Sequence, residues 1–314
     1  MTQSLARRKE IGMVLAFLLA SACTNESNPA SETRSLGNRV IARIHVGEAP
    51  ERMVVGDGFV WVANHREGSI SRIDPRTNET ATFPIANRGT TWEMALGGGF
   101  VWLDQDTGSS DFVTRRIDVR TGKVVGTVPV GGRLVFAEGS LWISTNEGIL
   151  YEVDPGNDTP VRTRTVSETD SEQDLAYADG TLWHGASQGE LIRIDPRTME
   201  IVATVRGVSA SKLFTDGHDL WAADEYEGTI SKIDTGSNSV VATVDVGPVT
   251  HAAVAEGMVW ARPEADRLLV VDGRTNHVVA FRLPSGEYGA DVIVGFGSLW
   301  IAHFSLNEVW RVEL

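Results

Sequence analysis

Disulfides cannot hold this chain together, because its 314 residues contain one cysteine, Cys23. Basic side chains are also scarce: 28 Lys and Arg stand against 42 Asp and Glu, a formal charge of −14. So acidic a surface argues against nucleic acid or an anionic membrane as partner. It is compatible with cationic ligands, with divalent metals, or with solubility alone. Long apolar runs are missing, since Ile11 to Ala22 spans 12 residues, too few to cross a bilayer. No later stretch keeps a 3.6-residue apolar period, which excludes a helical bundle. Nucleotide-binding glycine loops and His-x-x-x-His metal spacings are absent as well. The fold must therefore rest on a core of strands.

What is present is a beat of tryptophan. Trp61, Trp102, Trp142, Trp183, Trp221, Trp260 and Trp300 recur at spacings of 41, 40, 41, 38, 39 and 40 residues. A fixed period near 40 marks one supersecondary unit copied end to end. Each unit opens with an apolar run and a glycine turn before its tryptophan, as in Val54-Val55-Gly56-Asp57-Gly58-Phe59-Val60-Trp61. An alternating run ending in Asp follows, such as Leu191-Ile192-Arg193-Ile194-Asp195, then a turn such as Asp195-Pro196-Arg197-Thr198. A last run, such as Ile201-Val202-Ala203-Thr204-Val205, closes the unit. Four short Val/Ile/Thr-rich strands per unit predict an all-β, seven-bladed β-propeller. The final unit lacks its fourth strand, and Arg39 to Val46 matches the missing piece at the front. Residues 39–46 are expected to complete the last blade and close the ring, hiding two sheet edges.

The first 38 residues read differently. Arg7, Arg8 and Lys9 precede the apolar stretch, which ends Ala20-Ser21-Ala22-Cys23. This resembles a bacterial lipoprotein signal, in which the cysteine becomes the lipidated N-terminus. It departs from the pattern at Ala20, where Leu is preferred; an ordinary signal peptide leaving a free thiol is the alternative. Residues 1–22 are thus read as a signal, 23–38 as a flexible Ser/Thr/Asn/Glu-rich tether and 39–314 as the propeller. Losing Arg7, Arg8, Lys9 and Glu10 would carry the charge from −14 to −16. The expected product is exported, monomeric and anchored to the cell membrane through Cys23.

Counting back nine residues from each tryptophan gives Arg52, Glu93, Arg133, Asp174, Lys212, His251 and Asp291. All seven are ionisable in a chain only 22% charged, and the next column is apolar throughout, from Met53 to Val292. Alternation along an innermost strand would give one channel-facing and one packed residue. The fifth unit carries an extra residue near Asp216-Gly217-His218-Asp219, and counting from its glycine would replace Lys212 by Ser211. Two readings of this collar follow. In one, alternating signs form a self-neutralising ring of ion pairs. In the other, Glu93, Asp174 and Asp291 hold a divalent cation such as Mg²⁺ or Ca²⁺, while His251, set between Lys212 and Asp291, acts as general base. Trp92 and Tyr288 break the repeat near the inner-strand starts and could stack on a ligand. Asp104, Asp106 and Asp111 space carboxylates as a calcium loop does, without the distal Glu. Gly185-Ala186-Ser187-Gln188-Gly189 fits a nucleophile elbow in letters alone, because no helix follows it.

The repeats resemble those of YVTN-type propellers, and they are similar to those of virginiamycin B lyase and its relatives. The segments that carry this are Val54 to Asn64 and Gly228-Thr229-Ile230-Ser231-Lys232-Ile233-Asp234, and the resemblance extends over roughly residues 39–314. It implies a seven-bladed funnel with ligands at the channel mouth. It also implies, as one possibility, a Mg²⁺-dependent lyase with a histidine base, or a lactonase- or phosphotriesterase-like hydrolase. Only His251 of the collar fits that base, and no close acid–x–His pair accompanies it. The primary expectation is a binding module for a small ligand or a protein.

Overall fold

The computed structural model describes residues 34–85, 91–108, 112–167, 174–186, 189–264, 266–283 and 289–314, without the side chains of residues 91, 92, 264 and 289. Cys23, the signal segment, Asp111 and Tyr288 lie outside the described residues, as does the side chain of Trp92. Among the described residues no helix is long and apolar enough to cross a membrane.

Seven antiparallel sheets follow one another in chain order. Their innermost strands are Pro50–Gly56, Thr91–Gly97, Arg133–Ala137, Leu175–Ala178, Lys212–Thr215, His251–Ala255 and Gly289–Gly295. Each touches the next around a ring, and the seventh returns to the first. The expected closure is present: Val40–His45 pairs antiparallel with Glu308–Glu313 as the fourth strand of blade 7. The glycine turns join first and second strands through successive positive φ angles, 48° at Asp57 and 82° at Gly58 in blade 1. Such turns match the twist of a hairpin.

Six of the seven repeated tryptophans are fully buried, and each sits between its own blade and the next. The third strand sets a partner opposite each one: Arg72 faces Trp61, Arg193 faces Trp183, Lys232 faces Trp221 and Arg311 faces Trp300. These cations stack on the indole, as Arg193 does at 5.2 Å from the ring of Trp183. They then donate to the turn between the third and fourth strands of the following blade. Arg72 reaches Val119 O at 3.0 Å, Arg193 reaches Thr235 O at 2.6 Å and Asn238 Oδ1 at 2.9 Å, and Lys232 reaches Gly273 O at 3.3 Å. Arg116 grips Pro155 O and Arg311 grips Pro75 O in the same way. In blade 3 Glu152 holds the position opposite Trp142, and Arg162 from the fourth strand takes over, donating to Pro196 O at 2.8 Å. Blade 6 has Val270 there. Its neighbour joins its last two strands by pairing rather than by a turn, so no carbonyl is presented for a cation to hold.

The outer strands carry a second regularity. Blades 2, 3, 4, 5 and 7 each bulge by one residue there, at Val125, Val161, Val202, Val241 and Ile41. Each bulged residue is exposed, although β-branched and apolar. A bulge twists an edge strand and spoils it as a template for another chain. Blade 6 has no bulge; its edge is covered by Arg34–Ser35, which pairs parallel with Val278–Arg282. Leu36 is buried beside Phe281 and Leu283. The propeller body therefore begins at Arg34 at the latest, five residues before its expected start at residue 39.

Replacing Arg193 with Met keeps an apolar stem on Trp183 and deletes both hydrogen bonds to blade 5. Urea unfolding should then show a loss of about 2 kcal/mol, the range of charge-assisted bonds. An unchanged midpoint would mean that the cross-blade contacts contribute nothing to stability.

Candidate functional site

The collar positions come together. Arg52, Glu93, Asp174, Lys212, His251 and Asp291 line one central cavity of about 410 Å³. Arg133 stands beside them, bonded to Glu93 and lining an adjoining cavity with it. The next column is packed, with Met53, Met94, Leu134, Leu175, Leu213 and Val292 all buried. In blades 1, 2 and 7 the inner strand is irregular next to the collar residue, between Pro50 and Arg52, Thr91 and Met94, and Gly289 and Val292. Irregularities of this kind re-aim a side chain. In the fifth blade Lys212 lines the cavity, while Ser211 turns its hydroxyl to Ala223 O.

Charge is handled in two ways within this cavity. Glu93 takes the first, accepting from Arg133 and lying 3.5 Å from Arg52 Nη2. Burial alone would raise its pKa, but Arg52, Arg133 and Lys212 together outweigh burial and hold the carboxyl below its ordinary value. The two aspartates take the second. Asp291 accepts from Val292 N at 3.0 Å and from Met53 N of the next blade at 2.9 Å. Asp174 accepts from Leu175 N at 3.0 Å and from Leu213 N of the next blade at 2.8 Å. Each clips two neighbouring inner strands. The alternating ion-pair ring is thus realised only around Glu93. Burial pushes Asp291 up to about 6, against the opposing pull of Arg52 and the Met53 amide.

The Lys212 ammonium makes no salt bridge and no hydrogen bond among the described residues, alone among the collar charges, and acts on Glu93 only at longer range. His251 lies next to it on the ring. Its Nδ1 is 2.9 Å from Thr250 Oγ1, and its Nε2 is buried without a partner. Burial, then Arg52, Arg262 and Lys212, hold its pKa well below the usual histidine value, so the imidazole is neutral at pH 7. Asp291, the neighbour on the other side, does not offset these cations, and both its oxygens accept backbone amides.

The carboxylates do not form a metal centre. Among the described residues no three His, Cys, Asp or Glu side chains could share an ion. Glu93, Asp174 and Asp291 are described, and their acceptor positions face guanidinium or amide groups instead. Asp104 and Asp106 are likewise separate, with Asp104 Oδ1 accepting from Gly132 N at 3.0 Å and Asp106 Oδ1 from Gly108 N at 2.7 Å.

Two charged residues behind the collar escaped the nine-residue count. Arg262 pairs across the strand from His251 and donates Nη1 to Ala290 O at 3.0 Å and Ala302 O at 2.9 Å. Asp104 is its counterpart in blade 2, nearly inaccessible, with a pKa raised to about 7 chiefly by burial. A signal was available. Two places after each tryptophan stand Ala63, Asp104, Ser144, Gly185, Ala223, Arg262 and Ala302. Five are small; the two charged exceptions are the buried pair.

Comparison with known proteins adds fold and little else. A family model described as a repeat of unknown function, DUF6923, matches residues 130–218. No curated protein matches the sequence. Among solved structures, the WD40 β-propeller domain of Doa1 is similar with a TM-score of 0.70 at 10% identity, over 87% of this chain and 96% of that one. The β-propeller domain of Myceliophteria thermophila Cps50 (Swd1) is similar with a TM-score of 0.71 at 14% identity, over 88% of this chain and 99% of that one. At such identities the likeness establishes a seven-bladed propeller and no more.

Replacing Glu93 with Gln leaves two largely buried guanidinium groups facing a neutral amide. At pH 7 the variant should lose roughly 3–5 kcal/mol in chemical denaturation. Because the folded pKa of Glu93 is depressed, its contribution is present above the unfolded value of 4.5 and is lost as pH falls through the folded value. The gap between variant and wild type should therefore close in acid; a gap independent of pH would rule out the ionic account.

Proposed function

We propose that this chain is an exported, lipid-anchored propeller that binds a small ligand in the collar cavity, where Lys212 receives an anionic group of that ligand. One observation carries this reading: Lys212 is the collar charge left without a partner among the described residues. A half-buried ammonium that shares Glu93 with two guanidinium groups and has no hydrogen-bond partner of its own is poorly compensated, and an anion relieves that cost. The cavity, at about 410 Å³, falls in the size range of small-molecule sites. Neutral His251, with its unpartnered Nε2, adds a second polar group close by. The same features favour binding over metal-assisted elimination or hydrolysis, because the collar carboxylates are already engaged. The propeller fold is consistent with a binding module, and the anchor rests on the lipoprotein-like segment ending at Cys23.

Acetate, succinate and citrate serve as probes. At least one should raise the melting temperature of the wild type in the millimolar range and fail to do so in Lys212→Met, as linkage to the folded state requires. Equal shifts in both proteins, or none in either, would remove the collar as an anion site. In cells, Cys23→Ser should move the protein from the membrane to the soluble fraction; continued membrane association would remove the lipid anchor.

A further inference from the structure

A second cavity adjoins the collar and is the larger of the two. It lies between blades 2 and 3, with a volume of about 760 Å³. Glu93, Asp104 and Glu147 line it against one guanidinium, Arg133. Glu93 is committed to Arg52 and Arg133. Asp104 is not committed in that way. The residue is 2% exposed, its Oδ1 accepts the Gly132 amide, and no salt bridge holds it among the described residues.

The repeat does not need a carboxylate at this position. The equivalent residues Ala63, Ser144, Gly185, Ala223 and Ala302 pack the same place with small side chains. Blade 3 makes room for the larger one. A Cβ at Gly131 would stand 2.2 Å from Asp104 Oδ1 and 2.4 Å from Phe112 Cβ, so only glycine fits there. The chain thus holds a nearly inaccessible carboxylate at a cavity wall, outside any salt bridge among the described residues.

The surroundings select the charge of what would satisfy it. Three carboxylates, Glu93, Asp104 and Glu147, face one guanidinium, Arg133, so the lining carries a net negative charge. Phe112 and Tyr151 line the same cavity, and aromatic faces attract cations. A bare metal ion fits poorly, because among the described residues no third ligand converges and the space suits an organic molecule.

We propose that this cavity binds a small organic cation, seating a protonated primary amine on Asp104 with its carbon chain against Phe112 and Tyr151. The site is separate from the anion position at Lys212 and stands whether or not that position binds.

Titration calorimetry of the whole chain at pH 8 tests it, with hexylammonium as probe and hexan-1-ol and hexanoate as controls. Hexylammonium should bind in the millimolar range or tighter, with both controls at least tenfold weaker. Asp104→Asn should weaken the amine at least tenfold, and Tyr151→Leu about threefold. Lys212→Met should leave its affinity unchanged, which separates a failure here from a failure of the collar reading. Should Asp104→Asn not fold, Asp104→Ser takes its place, copying the residue at that position in blade 3. Absence of hexylammonium binding, equal binding of hexanol, or an Asp104 variant with wild-type affinity would each overturn the proposal.

Discussion

The ring depends on one side chain that crosses from a blade to the next, at six of the seven junctions. An Arg or Lys sits over an aromatic ring of its own blade, in most blades the repeated tryptophan, and donates to the carbonyls of its neighbour's outer turn. Two needs are met at once. The indole gains a cover over its face, and carbonyls at the turn gain a donor that the strands cannot supply. A guanidinium suits both tasks, because its faces are weakly hydrated while its edges carry the donors. The turn sequences Asp-Pro-Arg and Asp-Thr-Gly then follow as the counterpart surface. Their Asp side chains accept amides inside the turn, as Asp74 does from Arg76 N at 2.8 Å, and so fix the carbonyls where the crossing cation finds them.

That device needs a turn to grip, which ties it to the way the ring closes. Blade 7 is built from two distant parts of the chain, and the blade before it has Val270 where the others carry a charge. Closure there relies on apolar packing, with Leu36, Leu268, Phe281 and Leu283 in one cluster with Leu299 and Ile301. The N-terminal segment serves this junction twice, first as a parallel strand on blade 6 and then as the outer strand of blade 7. It also covers an outer edge that has no bulge, where five other blades are protected by their own extra residue.

The tryptophan period made the architecture readable, because blade packing repeats the same physical problem every 40 residues and the chain answers it with the same residue. The collar was readable for a related reason. A position at a fixed distance from the tryptophan faces the axis in every blade, so composition there stands out against the apolar column beside it. What those charges do to one another was not readable. Sign order predicted ion pairs, yet Asp174 and Asp291 turn to backbone amides whose direction depends on local strand geometry. Arg262 and Asp104 lie on second strands, outside the column that was counted, and were visible only as exceptions in a small-residue column. The start of the propeller body was misjudged because Arg34 to Asn38 has tether-like composition, while one buried leucine and two strand bonds suffice to dock it.

The collar shows why a charged ring of this size separates into settled and unsettled groups. Ionised side chains crowded into a narrow cavity lose hydration and must be met by something else. Carboxylates have an easy remedy in a propeller, since the inner strands present amide donors and a two-oxygen acceptor can bridge adjacent blades. The collar guanidinium groups of Arg52 and Arg133 turn to a carboxylate instead. Glu93 is shared by Arg52 and Arg133, and the aspartates have already turned away. Lys212 is the residue that this arithmetic leaves over, and Asp104, behind the pair formed by Glu93 and Arg133, is its acidic counterpart. An ammonium without a hydrogen-bond partner among the described residues and a nearly inaccessible carboxylate outside any salt bridge, one in each of two adjoining cavities, are more than blade packing requires, since small residues fill the place of Asp104 in five other blades. Their retention is the physical reason to look for ligands at both.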